Sequence, residues 1–339
     1  MELMGPAGRK SGKKGNGSVQ IYFAPMEGIT GYIYRTTHRR YYPGLAKYFT
    51  PFLSPGVQKG LGKKELRDIL PENNVDVPLI PQIMTCRSED FLCTADLLTD
   101  MGYQEINLNL GCPSGTVVAK KKGAGFLAYP DELDRFLEEV FDGLEKRKST
   151  AGITVKTRIG KDSPDEFPEL LAIYNRYPLK ELIIHPRIQT DFYRNHPNME
   201  IYRMALEESR NPVVYNGDLF DAEKIREHCQ NFPGTCVLML GRGLLRDPGL
   251  AGRVLRPEET GENGKQTRKA FVSELCSRYE EAFSGDRNVL FKMKEIWFYM
   301  EDLFPGAEKV KKKIKKASSL SEYRYYTEEL FEYQDIFEM

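Results

Sequence analysis

Short apolar runs bounded by Gly, Pro or polar residues recur along most of the chain: Ile21–Met26, Leu45–Phe52, Pro78–Met84, Gln104–Cys112, Gly152–Gly160, Lys180–Arg187, Pro212–Asp218 and Thr235–Gly243. Runs of this length and composition predict strands. Between them lie segments with apolar residues at helical spacing. Asp131–Arg147 is the clearest, with Leu133, Phe136, Leu137, Val140, Phe141 and Leu144 on one face, and Ser88–Met101 and Asp221–Gln230 behave alike. Eight strands alternating with helices are the pattern of parallel βα units. A closed barrel and an open doubly wound sheet both satisfy it. The count of eight, with the ~250 residues typical of such barrels, favours a (β/α)8 TIM barrel over residues 19–255.

Polar residues fall where a barrel enzyme places its chemistry. In Gln104–Cys112, Ile106, Leu108 and Leu110 alternate with Asn107, Asn109 and Gly111; in Gly152–Gly160, Ile153 and Val155 alternate with Thr154, Lys156 and Arg158. If the apolar faces pack on outer helices, Asn109 and Lys156 point inward near strand ends. Gln82, His185, Asn216-Gly217-Asp218 and Gly241-Arg242-Gly243 also sit at strand ends, and barrel active sites lie at the C-terminal ends of strands. Beyond Leu255 the texture changes. Residues 256–265 read as a polar linker, and 266–339 as a bundle of about four helices. Their apolar faces carry Phe271, Leu275, Tyr279 and Phe283, then Leu290, Met293, Trp297 and Met300, then Val310, Ile314 and Ala317, then Leu330 and Phe331. Ser319 and Glu322 have capping-box spacing before the last helix.

Composition adds little to this picture. Lys plus Arg equals Asp plus Glu, 49 each, so average charge does not point to a polyanionic partner. Local charge does: Lys309 to Lys316 holds six lysines, and Lys120-Lys121-Lys122 follows the fourth strand. Residues 1–18 lack the apolar core of a signal peptide and read as a flexible tail. No apolar run is long enough to span a bilayer, so a cytoplasmic protein without a membrane partner is expected. Six cysteines show neither a CxxC pair nor zinc-ligand spacing, so no metal is expected. Five of them are expected to be buried thiols in a reducing compartment.

Six short motifs occur in a fixed order: Phe23-Ala24-Pro25-Met26-Glu27-Gly28-Ile29-Thr30, Asn107-Leu108-Asn109-Leu110-Gly111-Cys112-Pro113-Ser114, Val155-Lys156-Thr157-Arg158, His185-Pro186-Arg187, Asn216-Gly217-Asp218 and Gly241-Arg242-Gly243. Together they resemble the tRNA-dihydrouridine synthase (Dus) family from about residue 20 to about residue 250. The helical tail is similar in size and character to the family's C-terminal, tRNA-binding domain.

The resemblance implies an FMN-dependent, NADPH-fed oxidoreductase that reduces the C5=C6 bond of uridines in the tRNA D-loop, acting as a monomer. Gly217, Gly241 and Gly243 permit close backbone approach to the FMN phosphate, with Asn216, Asp218 and the Arg242 charge beside them. Lys156 would sit near the flavin ring, with Gln82 on its amide-like edge, Pro25-Met26-Glu27 against it, and His185 also at the site. Cys112 is the implied proton donor to C5, since a free thiol is largely protonated at neutral pH. Asn109 and Arg187 are expected to meet the substrate. Lys311, Lys312, Lys313, Lys315 and Lys316 are expected to meet the RNA backbone. The sequence departs from the family at Pro186, where Gly is usual, and at Thr50-Pro51, often acidic. The residues alone leave two alternatives: an FMN barrel acting on a free pyrimidine, as dihydroorotate-type enzymes do, and a non-catalytic RNA-binding flavoprotein.

Overall fold

The computed structural model describes residues 19–56, 60–233, 237–259, 264–334 and 336. The expected tail over 1–18 lies outside them, as do Cys236, the start of the eighth predicted strand, and residues 260–263 of the expected linker.

The strands are β1 (Gln20–Phe23), β2 (Lys47–Phe49), β3 (Leu79–Ile80), β4 (Gln82–Ile83), β5 (Glu105–Leu110), β6 (Gly152–Arg158), β7 (Glu181–His185), β8 (Val213–Asn216) and β9 (Val237–Leu240). All neighbours pair in parallel, in the order β3-β2-β1-β9-β8-β7-β6-β5-β4. The third predicted strand is split in two at Pro81, which has no N–H to give to a ladder. β3 bonds to one neighbour and β4 to the other, so the row closes on itself: nine short strands make a barrel of eight positions. A bridge between Leu53 and Ile83 completes the seam.

Helices α1 (Tyr32–Tyr41), α2 (Lys63–Ile69), α3 (Ser88–Asp100), α4 (Gly115–Val118), α5 (Pro130–Lys146), α6 (Phe167–Tyr174), α7 (Met199–Glu208), α8 (Ala222–Asn231), α9 (Arg242–Arg246) and α10 (Leu250–Leu255) follow the strands. The apolar faces of the strands pack on them, as alternation requires: Ile106, Leu108, Leu110, Ile153 and Val155 share one cluster with Leu133, Phe136, Leu137 and Val140 of α5. The opposite parity fills the barrel. Tyr22, Ala24, Phe49, Ile80, Ile183, Val214 and Met239 form an interior plug.

Below the plug, at the N-terminal strand ends, charges close the barrel. Lys47 Nζ lies 2.7 Å from Glu105 and 2.8 Å from Glu181; Lys180 Nζ lies 2.6 Å from Glu105, and the Tyr22 hydroxyl donates to Glu181 at 2.7 Å. Two cations meet two carboxylates, so the cluster is neutral in itself.

The C-terminal helices are α11 (Gly264–Ala282), α12 (Asp286–Met300), α13 (Glu308–Lys316) and α14 (Leu320–Tyr333). Each apolar face read from the sequence is turned inward, with only Phe283 left partly exposed. The last helix starts at its expected cap, where the Ser319 hydroxyl accepts the Glu322 amide at 3.2 Å. These helices do not build a separate core. One cluster runs from Ile21 and Phe23 through Tyr34 to Phe271, Trp297 and Phe331. Arg278 of α11 donates to the Thr36 and Thr37 hydroxyls of α1 at 2.7 Å, and Glu274 accepts from Arg40 and Tyr41. No helix among the described residues is long and apolar enough to cross a membrane. Of the five cysteines described, only Cys276 is buried; Cys93 is exposed, and Cys86, Cys112 and Cys229 are intermediate. The expectation of buried thiols therefore fails for Cys86, Cys93 and Cys229, which sit on the outer faces of helices or in loops.

The charged floor is expected to be structural. Lys47→Met leaves Glu181 without its cation and should cost about 3 kcal/mol, because one partner removed strands a buried charge. A lower urea midpoint at unchanged slope would register this; a midpoint that does not move would show that the cluster holds nothing together.

Candidate active site

Site residues converge at the opposite, C-terminal end of the barrel, around a cleft of about 1110 Å3 that opens to solvent. Pro25, Met26, Glu27, Gln82, Asn109, Cys112, Lys156, His185, Asn216, Gly217, Asp218, Gly241 and Arg242 all line it. Arg187 and the lysines of α13 do not.

The Cys112 turn is fixed from inside the barrel. The Asn109 side-chain oxygen accepts the amides of Gly111 (3.0 Å) and Cys112 (2.9 Å), and its nitrogen donates to Gln82 at 2.7 Å. Gln82 in turn donates to Asn107 (2.7 Å), which donates to the Thr154 hydroxyl (2.8 Å). Two amides on one oxygen settle which way the Asn109 carboxamide points. Gln82 and Asn109, expected to meet flavin and substrate, thus spend much of their bonding on each other and on the turn. From outside, Gly123 holds the loop. It has φ +56, and a Cβ there would lie 2.8 Å from the Cys112 carbonyl, which accepts the Ala124 amide at 3.0 Å. Burial pushes the Cys112 thiol above its ordinary value; the Ser114 amide opposes the rise and the Glu27 carboxylate adds to it. The thiol is therefore protonated at neutral pH and has a proton to give.

Beside the Cys112 turn, on the neighbouring strand β6 and beyond, the charge is positive. Lys156 is largely buried at a barrel-interior position, and among the described residues nothing pairs with its ammonium. Burial, then the neighbouring Arg158 charge, holds it down to about 7. Arg158, 1% exposed, donates to the carbonyls of Gly111 (3.0 Å), Ile188 (2.8 Å) and Phe192 (2.7 Å), tying the Cys112 turn to the loop after β7. His185 is held well below its ordinary value by burial and by the charges of Arg158, Lys156, Arg187 and Arg242, so it is neutral. Arg187 lies 2.9 Å from its Nε2. An arginine only donates, so Nε2 accepts and the ring proton sits on Nδ1.

Arg187 was expected to meet substrate, but it is 1% exposed and lies behind the wall, where its guanidinium grips Asp218 and the Asn195 carbonyl. Asp218 also accepts from Arg242 at 2.6 Å. Arg242 is stacked between the rings of Tyr193 (4.7 Å) and Phe220 (5.2 Å). Tyr193 follows Phe192, whose φ of +50 is uncommon for an aromatic residue and is held by the Arg158 bond to its carbonyl. Among the described residues the amides of Gly217 and Arg242 make no hydrogen bond. Gly243 is required by packing, since a Cβ would lie 2.2 Å from the Leu219 carbonyl. Unused amides, an unpaired ammonium and a neutral imidazole suit a flat anionic ligand ending in phosphate. Those features fit FMN.

Sequence reasoning missed Arg158, Tyr193, Phe220 and Tyr299 as parts of this cleft. Arg158 was legible: it shares the strand parity of Lys156. Tyr299 had no signal, because it comes from α12 in the helical tail.

The lysine run of α13 is not one face. Lys311 is largely buried and pairs with Glu308 (2.6 Å), Lys315 pairs with Glu301 (2.7 Å), and Lys313 reaches Glu329 (3.3 Å) over the Tyr326 ring. Lys309, Lys312, Lys313 and Lys316 line a shallow basic cleft with Ser318 and Tyr326. Of these, Lys309, Lys312 and Lys316 have no ion pair among the described residues. Of the other basic run, Lys121 pairs with Glu132 at 3.0 Å and Lys122 reaches the Ser54 hydroxyl at 3.3 Å.

A family model described as Dihydrouridine synthase (Dus) matches residues 22–337. A probable tRNA-dihydrouridine synthase 1 from Synechocystis sp. is 24% identical over 310 residues, 89% of this chain and 84% of that protein. A tRNA-dihydrouridine synthase B from Pasteurella multocida is 26% identical over 295 residues, 85% of each. A tRNA-dihydrouridine(16) synthase from Pseudomonas putida is 29% identical over 243 residues, 68% of this chain and 72% of that one. Among solved structures, morphinone reductase superposes with a TM-score of 0.51 at 11% identity, over 75% of this chain and 91% of that one. Histamine dehydrogenase from Rhizobium sp. 4-9 does so at 0.55 and 11%, over 76% of this chain but only 48% of that one. These two likenesses show the barrel fold.

Lys156 carries a test of the charge argument. Its folded value of about 7 lies below the ~10.4 of an unfolded lysine. The folded state thus binds fewer protons between those values, and stability rises with pH across that window. In ligand-free protein, Lys156→Met should raise Tm by several degrees at pH 6 and by less at pH 9, while weakening FMN binding. A Tm unmoved at both would mean that the ammonium is solvated.

Proposed function

The chain belongs to the dihydrouridine synthase family, and we propose that it reduces the C5=C6 bond of uridines in tRNA to 5,6-dihydrouridine, with FMN in the strand-end cleft. The observation that carries this reading is the cleft itself, in which a protonated thiol and an unpaired ammonium, set on neighbouring strands, border one space open to solvent. When bound, FMN supplies the hydride that adds at C6. Everything else falls to the chain. Lys156 and the neutral His185 would meet the ring, with Nδ1–H as a donor. Gly217 and Arg242, with unused amides, would meet the phosphate. Asp218 keeps the Arg242 guanidinium in place.

Reduction across C5=C6 also needs a proton at C5, and Cys112 holds one on the solvent side of the cleft. Asn109 and Gln82 set the turn that aims it. Arg187 acts through Asp218 and His185, as a positioning residue. Uracil is stacked in folded RNA and must be turned out to enter, so the enzyme must grip RNA away from the reacting base. The free cations of α13, Lys309, Lys312 and Lys316, supply that grip. We propose NADPH as the donor that returns electrons to the flavin. Since one chain builds every wall of the cleft, we propose a monomer, and tRNA as substrate places it in the cytoplasm.

The purified protein should be yellow, consume NADPH and form dihydrouridine in unmodified tRNA. Cys112→Ala should keep the colour and the reaction with NADPH but lose dihydrouridine formation by 100-fold or more, about the contribution of a general acid. Wild-type rates in that variant would remove the thiol from the mechanism.

The RNA grip makes a separate prediction. Lys312→Glu with Lys316→Glu should weaken tRNA binding and flatten its salt dependence. Lys311→Gln with Lys315→Gln should change binding little, because those ammonium groups are already paired. Equal losses in both pairs would mean that the whole run, not one face, meets RNA.

A further inference from the structure

Beside the catalytic cleft lies a second one of about 920 Å3, and the two share a wall containing Glu27 and Phe52. Its far side carries the ring of Tyr32 from α1 and that of Phe283, just past the end of α11, with Lys64 and Arg67 from α2. Lys64 and Arg67 are exposed, and among the described residues neither has an ion-pair partner. Of the nearby carboxylates, Asp68 and Glu65 are already engaged, while among the described residues Glu27 is not and feels the Lys64 charge. Asp68 holds Arg35 at 3.0 Å and the Tyr32 amide at 2.6 Å, and Glu65 accepts the Ser54 and Gly62 amides at 2.7 Å. Arg67 lies 5.9 Å from the centre of the Tyr32 ring.

Two free cations beside aromatic faces form a surface suited to a nucleotide: phosphate against the charges, base against the rings. Position narrows the occupant. When a base is turned out of its stack into one cavity, the next nucleotide of the same strand must lie within one residue of it. A shared wall meets that requirement. The Glu27 carboxylate is exposed on that wall. It repels phosphate and accepts hydrogen bonds, which suits a ribose 2′-hydroxyl.

We propose that this cleft binds the nucleotide adjoining the reduced uridine in the RNA chain, with its phosphate on Lys64 and Arg67 and its base against Tyr32 and Phe283. The proposal rests on tRNA being the substrate. It adds a second nucleotide subsite, built jointly by the barrel loops and the helical tail.

The test is Lys64→Glu with Arg67→Glu, at exposed positions where folding is not at stake. Kd for unmodified tRNA would be measured by fluorescence anisotropy, KM by dihydrouridine formation, and flavin reduction by stopped-flow with NADPH. Kd and KM should both rise about tenfold, with a shallower salt slope. Tyr32→Leu should raise KM without changing that slope. Unchanged Kd and KM overturn the proposal. A fall in the rate of flavin reduction at unchanged Kd for tRNA also overturns it, assigning the cleft to the nicotinamide nucleotide instead. Failure of the activity itself looks different: wild-type protein would then form no dihydrouridine in any tRNA.

Discussion

A buried cation with no counter-charge governs the architecture of this barrel. Lys156 points into the interior, where an unpaired charge costs several kcal/mol. Burial is strong enough to hold its ammonium down to about 7. The two ends of the same barrel treat charge in opposite ways. At the floor, Lys47 and Lys180 meet Glu105 and Glu181, and the account is balanced within the protein. At the mouth, Lys156, Arg158, Arg187 and Arg242 gather around His185, and of the four only Arg187 and Arg242 share a carboxylate, Asp218. The surplus is stable only if something anionic completes it. That is why the mouth is a site and the floor is a plug.

Burial sets the protonation states around the cleft, with the cation surplus helping at His185 and opposing at Cys112. Burial, and then the cations, keep His185 neutral, so it can donate from Nδ1 without adding charge. Cys112 lies where burial outweighs those cations, and Glu27 pushes the same way, so its thiol stays protonated. An acid must keep its proton until the substrate arrives, and a ligand-binding imidazole beside four cations cannot carry one. The position of the thiol follows from the strands, through the chain of carboxamides that runs from the Thr154 hydroxyl to the Cys112 amide.

Most of this was legible in the sequence because strand parity is a strong constraint. Once Ile106, Leu108 and Leu110 face the helices, Asn107 and Asn109 must face inward, and the same holds for Lys156 against Val155. The seam at Pro81 was invisible, since a proline inside a strand reads the same whether the segment continues or splits between two neighbours. Arg187 was misplaced for a related reason: it lies past the end of β7, where parity no longer holds, and Asp218 captures it. The lysines of α13 were read as a run although helical spacing sends Lys311 and Lys315 to carboxylates and leaves Lys309, Lys312 and Lys316 without an ion pair among the described residues. Tyr299 and Phe283 reach their clefts through tertiary packing of α11 and α12, for which a single sequence carries no signal.

That packing explains why the helical tail is continuous with the barrel core. A tail tethered by a linker would deliver RNA to the mouth with a wide spread of distances. Here Arg278 and Glu274 bind α11 to α1, and Lys292 of α12 donates to the Gly28 carbonyl, in the loop that carries Glu27. Lys294, from the same helix, donates to the Ala317 carbonyl at the end of α13. One helix therefore touches the catalytic loop, contributes Tyr299 to the catalytic cleft and supports the basic face of α13. A uridine turned out of a folded RNA has to arrive within about half an ångström of a productive position. In the proposed reaction, continuity between the basic face of α13 and the Cys112 thiol is what would let binding energy spent on phosphates act at C5 and C6.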